Sequence, residues 1–449
     1  MFAEPERVPL TEVERSEGRS ACADPRLVRL RAWSLRLLEF GAVQSLVQLA
    51  LAGAGFLIVR SLPKSEYALF AIVNSMQTTS NVLADLGIGI GLRSIGGRVW
   101  RDPERFGQLL NTALSLRRRF ALISLGVTIP IAGWMLWHNG ASLPTAAGLC
   151  VCLAAGVIPL LGVSVFNTCL QMHAQYRRMQ RLDLGNAVLR LCLIAAFAAT
   201  RLNALFAAGV GVAGSWLQMI VARRWSRGLV HAGALLNVDD RRELVRLSFQ
   251  SLANVIFFCL QGQVTLLILT LAGNPTGIAD ITAIGRIAAL FAVFSAVFVS
   301  VLGPRFAQCQ DPPRLPRLYL LLLAVTALVL LPLVLVAWIL PEPLLWLLGA
   351  QYAGLNAECG WVVATGCLGQ VATVMYTLNA GRAWIRVQSF GYIPVILTAQ
   401  LIAASLLNLR VFHQVLIFNL VTVAAPLPVY ALDAWLGICS SRRARGATA

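Results

Sequence analysis

The 449-residue chain has few charged residues, and they are confined to short segments. Charged side chains make up 13% of the sequence and hydrophobic ones 58%, whereas soluble domains carry about 25% charged residues. Runs of about 20 apolar residues cross the hydrocarbon core of a bilayer. Lipid leaves no partner for free backbone groups, so such runs form helices rather than open strands. The composition therefore predicts an all-α polytopic membrane protein.

Motifs that carry catalytic chemistry are missing. The chain contains no GxxxxGK[ST], HExxH or GxSxG sequence, and its four histidines are scattered. The ten cysteines form no CxxC pair and lie mostly in apolar runs, where free cysteine packs as a small hydrophobe. We therefore expect neither an enzyme nor an ATPase, and no cofactor or metal. The polar first 35 residues also lack the apolar core of a cleavable signal peptide.

Apolar runs separated by charged breaks predict about twelve membrane spans. Of the 37 basic residues, 31 fall in segments on the side of the two chain ends. Basic residues favour the cytoplasmic side, so both termini are predicted to lie in the cytoplasm, with the chain in the bacterial inner membrane. The predicted spans are approximately 40–59, 67–92, 119–137, 143–170, 184–200, 202–222, 247–272, 277–301, 318–340, 359–381, 389–409 and 411–436.

The longest central cytoplasmic segment divides these spans into two sets of six. We predict a cytoplasmic tail over 1–37, an N-lobe over 38–222, a linker over 223–246, a C-lobe over 247–438 and a second tail over 439–449. Halves that start in the same orientation fit a two-fold axis along the membrane normal. The net charge of +17 resides in loops beside the spans, which predicts contact with anionic membrane lipids and disfavours nucleic acid.

Two arginines fall inside predicted spans. Arg286 lies about nine residues, or roughly 13 Å, into span eight. A centred arginine costs at least ~2.5 kcal/mol, so it should face an interior cavity or a partner; a structural ion pair is the alternative. Arg190 lies six or seven residues into span five, where its side chain either faces the cavity or extends to the cytoplasmic surface.

Asp85 lies in the glycine-rich end of span two. A packing or gating role, paired with Arg93 or another basic residue, is more consistent with this position than substrate contact.

Uncharged polar residues recur at helical spacing in two other spans. Gln44 and Gln48 share one face of span one, Asn254 and Gln261 share one face of span seven, and Gln263 lies off that face. They either bond neighbouring helices or line a cavity that meets sugar hydroxyls.

Between spans one and two lies the stretch Arg60-Ser-Leu-Pro-Lys-Ser-Glu-Tyr-Ala-Leu-Phe70. It resembles the R-x-L-(G/P)-x-x-E-Y-G-x-F junction of polysaccharide and oligosaccharide flippases of the MATE-like multidrug/oligosaccharidyl-lipid/polysaccharide exporter superfamily. Asp85-Leu-Gly87 resembles their D-L-G end of span two. Gln261-Gly-Gln263-Val and Gly285-Arg286 resemble one branch of oligosaccharide flippases.

The resemblance implies two six-helix lobes around a central cavity. It also implies that the protein moves an undecaprenyl-pyrophosphate-linked oligosaccharide to the outer leaflet by alternating access, alongside a polysaccharide polymerase or other glycan-assembly proteins. Arg286 and Arg190 would then attract the diphosphate through charge-assisted bonds. The sugar would meet the amides of Gln44, Gln48, Asn254, Gln261 and Gln263.

A cation-coupled multidrug exporter of the same fold is the main alternative. Such exporters need carboxylates in the interior, whereas Glu39, Asp85 and Asp433 lie toward span ends and Asp280 lies near the outer end of span eight. This distribution favours an anionic cargo. A membrane scaffold in a glycan-assembly complex is a further alternative, and it would need no cavity arginine.

Overall fold

The regular structure of the chain is helical. The computed structural model describes residues 25–173, 175–198, 202–229, 237–273, 275–289, 306, 314–382, 384–409 and 411–446, with side chains for most of them from residue 42 onward, and contains no strand in this part of the chain. The described helices of the first half are α1 (Pro25–Ser61), α2 (Lys64–Asp85), α3 (Ile88–Val99), α4 (Pro103–His138), α5 (Leu143–Met172), α6 (Tyr176–Ala198) and α7 (Ala204–Ser226).

The second half continues the same pattern of long helices joined by short links. Its described helices are α8 (Val238–Leu271), α9 (Pro275–Ala289), α10 (Leu315–Ile339), α11 (Pro341–Leu348), α12 (Asn356–Gly381), α13 (Arg386–Leu406), α14 (Phe412–Ala424) and α15 (Leu427–Gly446), with a 3-10 turn at Ala350–Tyr352.

Each of the twelve predicted spans overlaps at least one of these helices. Seven helical stretches in the described residues are long and apolar enough to cross a membrane, and Val255–Leu271 and Phe390–Leu406 are shorter apolar ones. The prediction of an all-α polytopic membrane protein is confirmed. Below, "outer" denotes the helix ends that the charge distribution predicts to be extracytoplasmic.

Two predicted spans are broken into pairs of helices. Between α2 and α3, Leu86 and Gly87 adopt left-handed backbone conformations with φ of 38° and 79°. The carboxylate of Asp85 then accepts a hydrogen bond from the backbone N–H of Gly89 (3.2 Å) in the first turn of α3. The break between α14 and α15 contains Pro426, which has no backbone N–H to continue a helix.

Several helices, α4 and α8 among them, begin well before their predicted spans. Asp102 caps α4 by accepting from the backbone N–H groups of Glu104 and Arg105, and Asn237 caps α8 in the same way. Arg105 donates to both carboxylate oxygens of Asp240 (2.5 and 2.8 Å), which joins the starts of α4 and α8. These hydrogen bonds raise the pKa of Arg105 further above its usual value, so the guanidinium stays charged.

One buried apolar cluster runs through both lobes. In the N-lobe α2 packs against α4, α5 and α7, and in the C-lobe α12 packs against α9, α10, α14 and α15. The lobes meet where α2 contacts α9, while α8 packs against α2, α3 and α4 as well as α9 and α14. The start of α2 and the helix α9 therefore bring residues of the two lobes together.

Candidate functional site in the membrane interior

The junction between α1 and α2 supplies the N-lobe side of the site. The Glu66 carboxylate accepts a hydrogen bond from the backbone N–H of Ala204 (2.9 Å), which satisfies one free donor in the first turn of α7. The next residue, Tyr67, is fully buried. Glu66 therefore anchors the start of α7, and Tyr67 places its phenol in the protein interior.

Arg286 on α9 reaches across the lobe boundary to this phenol. Its Nε donates to the hydroxyl oxygen of Tyr67 (2.7 Å), and its guanidinium carbon lies 5.6 Å from the Tyr67 ring centre and 6.0 Å from that of Phe70. The guanidinium also lies directly against the α1 backbone at Gly55, where a Cβ atom would overlap Nη1. Arg286 is thus held between α1 and α2.

Arg190 on α6 extends toward the same region. Its guanidinium lies against Gly211 of α7, where a Cβ atom would be 3.8 Å from both Cζ and Nη2, and its charge interacts with that of Arg286. Among the ion pairs of the described residues, neither arginine is included. Two like charges therefore occupy the interior without a carboxylate partner in the described part of the chain.

A polar network beside Arg190 was not predicted from the sequence. The Asn186 amide donates to Gln218 Oε1 (3.0 Å), and the Gln218 amide donates to Asp183 Oδ1 (2.8 Å). Asp183, Asn186 and Arg190 are spaced i, i+3 and i+7, so they share one face of α6. That spacing is the signal that could have identified the network.

The predicted residues of span one lie in line with Arg286. Gln44 and Gln48 are both half-buried. The seven-residue step from Gln48 to Gly55 returns to nearly the same face of α1, about 10 Å along the axis. The two amides are therefore on the α1 face that Arg286 contacts, displaced away from the outer end of the helix.

The predicted residues of span seven separate onto two faces of α8. Buried Gln263 donates to Ser75 Oγ (2.9 Å) and Thr79 Oγ1 (2.6 Å), both on α2. Gln261, two positions earlier, accepts from the hydroxyl of Tyr392 (3.4 Å) on α13. Gln263 therefore bonds the N-lobe and Gln261 the C-lobe. The side chains of Asn254 and Arg93 lie outside the described residues.

Asp85 has a basic partner other than Arg93. Its carboxylate forms an ion pair with Arg117, which is almost completely buried and also donates to the backbone carbonyl of Leu161 (3.3 Å). This pair ties the end of α2 to α4 and α5. A buried arginine with two acceptors on neighbouring helices stabilises the N-lobe, away from the Arg286 contacts.

A second set of contacts joins the lobes at their outer ends. Lys64, the only lysine in the sequence, lies 2.7 Å from the carboxylate of Asp280 on α9, and its ammonium is 5.0 Å from the Tyr352 ring centre. The Gln351 side chain donates to the carbonyls of Val59 (2.8 Å) and Leu62 (3.0 Å) at the end of α1. Together these contacts close the outer side at the α1–α2 junction.

An apolar groove of about 440 Å³ lies between α2, α4 and α8. Its walls include Ile123 and Leu260, which are 67% and 60% exposed, and almost no polar surface. Of the predicted substrate-binding residues only Gln263 lines it, and neither arginine does. The groove offers almost no polar group, so the arginine pair is the better candidate for recognition of a polar headgroup.

No protein-family model and no curated protein sequence matches the chain. Solved structures do. An inward-facing structure of a multidrug resistance MATE family transporter of the MOP superfamily has a TM-score of 0.64 and 15% identity, covering 89% of this chain and 95% of that one.

The chain has the MATE fold. An outward-facing structure of a multidrug resistance MATE family transporter gives a lower TM-score of 0.59 at 15% identity, with 91% and 96% coverage. A eukaryotic MATE transporter, AtDTX14, gives 0.57 at 14% identity, with 92% and 99% coverage.

Proposed function

We propose that this protein is a flippase that translocates undecaprenyl-pyrophosphate-linked oligosaccharide across the inner membrane for surface polysaccharide biosynthesis. The observation that carries the proposal is that Arg286 and Arg190 both lie among the packed helices without a carboxylate partner in the described residues. Arginines in a membrane interior are costly and mark substrate pathways. A diphosphate headgroup would offset the repulsion between them.

The geometry of Arg286 fits recognition of phosphate. Its Nε is used by Tyr67, while a guanidinium has five N–H donors, so the Nη groups remain for phosphate oxygens. Gly55 adds no side chain between α1 and the guanidinium, which leaves Nη1 close to the helix surface. Gln44 and Gln48, lower on the same α1 face, would meet sugar hydroxyls that follow the diphosphate.

Alternating access supplies the transport step of the proposal. In the state described here the outer side is closed by Lys64–Asp280 and by Gln351, so a headgroup would enter from the cytoplasm. Release would require α9 to separate from the start of α2, which breaks both the Lys64 ion pair and the Arg286–Tyr67 bond. Rocking of one lobe against the other is the motion that repeated transporter folds permit.

A second candidate function is a cation-coupled multidrug exporter. The inward- and outward-facing relatives are described as multidrug resistance transporters, which favours it. Coupling in such an exporter requires an available interior carboxylate. Asp85 is paired with Arg117, Asp280 with Lys64, and Asp433 accepts from two backbone N–H groups at the start of α13. Asp183 on α6 accepts a hydrogen bond from the Gln218 amide and has no ion-pair partner among the described residues, so coupling in an exporter would use this carboxylate.

The test compares surface glycan and lipid-linked oligosaccharide in cells with and without the protein. If the protein is a flippase, cells that lack it should lose one surface glycan and accumulate its lipid-linked precursor. Complementation with Arg286→Ala should leave the defect in place at normal protein level. Unchanged glycan combined with altered sensitivity to cationic toxins would replace the proposal with the exporter.

A further inference from the structure

A polar face of α12 sets this helix apart from those that face lipid. On α10 the exposed positions are apolar, with Leu320, Leu328 and Leu335 at 65%, 72% and 48% exposure. On α12 the exposed or half-buried residues of one face are Thr373, Tyr376 and Thr377, spaced i, i+3 and i+4. The two threonine hydroxyls donate to the backbone carbonyls of Gly369 and Thr373 one turn earlier, so the exposed polar group that this face offers to a ligand is the phenol of Tyr376.

Tyr376 is the first ring of a continuous aromatic row. Its ring centre lies 6.2 Å from that of Tyr430 on α15, and Tyr430 stacks on Tyr392 of α13 at 6.2 Å with an interplanar angle of 20°. Phe257 of α8 meets Tyr392 edge-on at 6.0 Å. Four helices of the C-lobe therefore each contribute one ring.

The row ends at an amide. The Tyr392 hydroxyl donates to Gln261 Oε1 (3.4 Å), which leaves the amide N–H groups of Gln261 for other acceptors. Tyr376, the first ring, is 45% exposed, whereas Tyr430, the second, is 6% exposed, and Tyr392 and Phe257 beyond it are half-buried. An open phenol, hydroxyls and an amide thus lie along one wall, which we call the tyrosine wall (Tyr376, Tyr392, Tyr430 and Gln261).

We propose that the tyrosine wall is a binding subsite for the saccharide part of the lipid-linked substrate, separate from the arginine pair that takes the diphosphate. This inference rests on the proposed function. The C–H groups of a sugar ring face carry partial positive charge and stack on electron-rich aromatic faces. Sugar hydroxyls exchange hydrogen bonds with phenols and amides, so the wall offers both kinds of contact.

A cluster of aromatic rings also attracts organic cations. The wall includes no acidic residue, and the two interior arginines would repel a positively charged ligand in the same protein. Hydroxyl groups and an amide supply hydrogen bonds that a quaternary or aromatic cation does not need. The composition of the wall therefore favours a neutral, hydroxyl-rich ligand.

Binding to purified full-length protein tests the subsite. The two probes are lipid-linked oligosaccharide extracted from cells that lack the protein, and bare undecaprenyl diphosphate. Wild type should bind the saccharide-bearing lipid more tightly, and Tyr376→Ala should lower that preference by about tenfold while binding of the bare lipid is unchanged. Tyr392→Phe keeps the ring and removes the hydroxyl, so it should lose only part of the preference for the saccharide-bearing lipid.

The matched control is Phe390→Ala. This residue lies on α13 two positions before Tyr392 and is 86% exposed, so its removal deletes an aromatic ring outside the wall. It should keep the wild-type preference for the saccharide-bearing lipid. Thermal unfolding of each variant shows that the proteins compared are folded.

Each other outcome has a definite meaning. If wild type binds both lipids equally, or Tyr376→Ala keeps the preference, the subsite is wrong, while binding of bare diphosphate that Arg286→Ala abolishes would still support the flippase. If no precursor accumulates and neither lipid binds, the proposed function fails and the subsite with it. If Tyr376→Ala instead abolishes binding of ethidium, the wall is a cation site and the inference is overturned.

Discussion

The Nε atom of Arg286 lies 2.7 Å from the hydroxyl oxygen of Tyr67, and this hydrogen bond joins the two lobes inside the membrane. The ring of the same tyrosine also lies within cation–π distance of the guanidinium. One residue of the α1–α2 junction therefore fixes the orientation of the cation that we assign to the substrate diphosphate. The following predictions test this arrangement.

Tyr67→Phe should weaken transport without loss of the fold. The substitution removes the acceptor for Arg286 Nε and keeps the buried ring, and a net hydrogen bond of this kind contributes about 1–3 kcal/mol. We expect glycan export to fall at least several-fold at unchanged protein level. Tyr352→Phe is the control, because the Tyr352 hydroxyl has no hydrogen-bond partner within the described residues. Equal export by the two variants would contradict the assignment.

Gly55→Ala should displace the Arg286 guanidinium while its charge is kept. The added methyl group would overlap Nη1, the end of a flexible side chain, so the helix remains and the arginine moves. Gly53→Ala is the matched control on α1, since its methyl group would meet only Leu191 at 3.5 Å. Export by the Gly55 variant should fall below that of the Gly53 variant; the reverse order would remove Gly55 from the site.

Arg286→Lys should retain only a small part of the activity. Lysine keeps the positive charge but loses the planar donors that bind Tyr67 and phosphate oxygens together. Binding of bare undecaprenyl diphosphate should weaken by about tenfold or more relative to wild type, and Arg286→Ala should weaken it further. Titration of both purified variants measures this order. Wild-type affinity in the lysine variant would mean that charge alone is sufficient.

Asp280→Asn should loosen the outer closure. The substitution removes the partner of Lys64, whose side chain is only 26% exposed in the closed state. Because Lys64 is the only lysine, a membrane-impermeant amine reagent applied from outside reports on this one side chain. We expect faster labelling in Asp280→Asn than in wild type, with Lys64→Arg as the background. Equal labelling rates would show that the ion pair does not hold the outer side closed.

The all-α membrane class of the protein could be predicted from the sequence because the interior of a bilayer permits few backbone structures. Apolar run length and the placement of arginines are properties of single segments, and both identify spans without reference to packing. The presence of Arg286 and Arg190 inside spans follows from the same local count. The break at Leu86 was not predicted, since a non-glycine residue with positive φ is held by its surroundings, here the Asp85–Arg117 pair.

The contacts between helices were less accessible to sequence analysis. The spacing of Gln261 and Gln263 placed them on different faces of span seven, but their partners Tyr392 and Ser75 come from helices far along the chain. The tyrosine wall is assembled from four helices and has no local signature. A group of residues contributed by several helices can be identified only from the packed structure.

The positions of Gln261 and Gln263 have a mechanical consequence. Gln263 joins α8 to α2 with bonds of 2.6 and 2.9 Å, and the Arg105–Asp240 pair joins it to α4. Its described bonds to the C-lobe are longer: Gln261 with Tyr392 on α13 and Thr265 with Asn419 on α14, both 3.4 Å. We expect α8 to travel with the first six spans when access alternates. The pivot then lies after Leu271, so the two moving bodies comprise seven and five spans, whereas the sequence analysis predicts lobes of six and six.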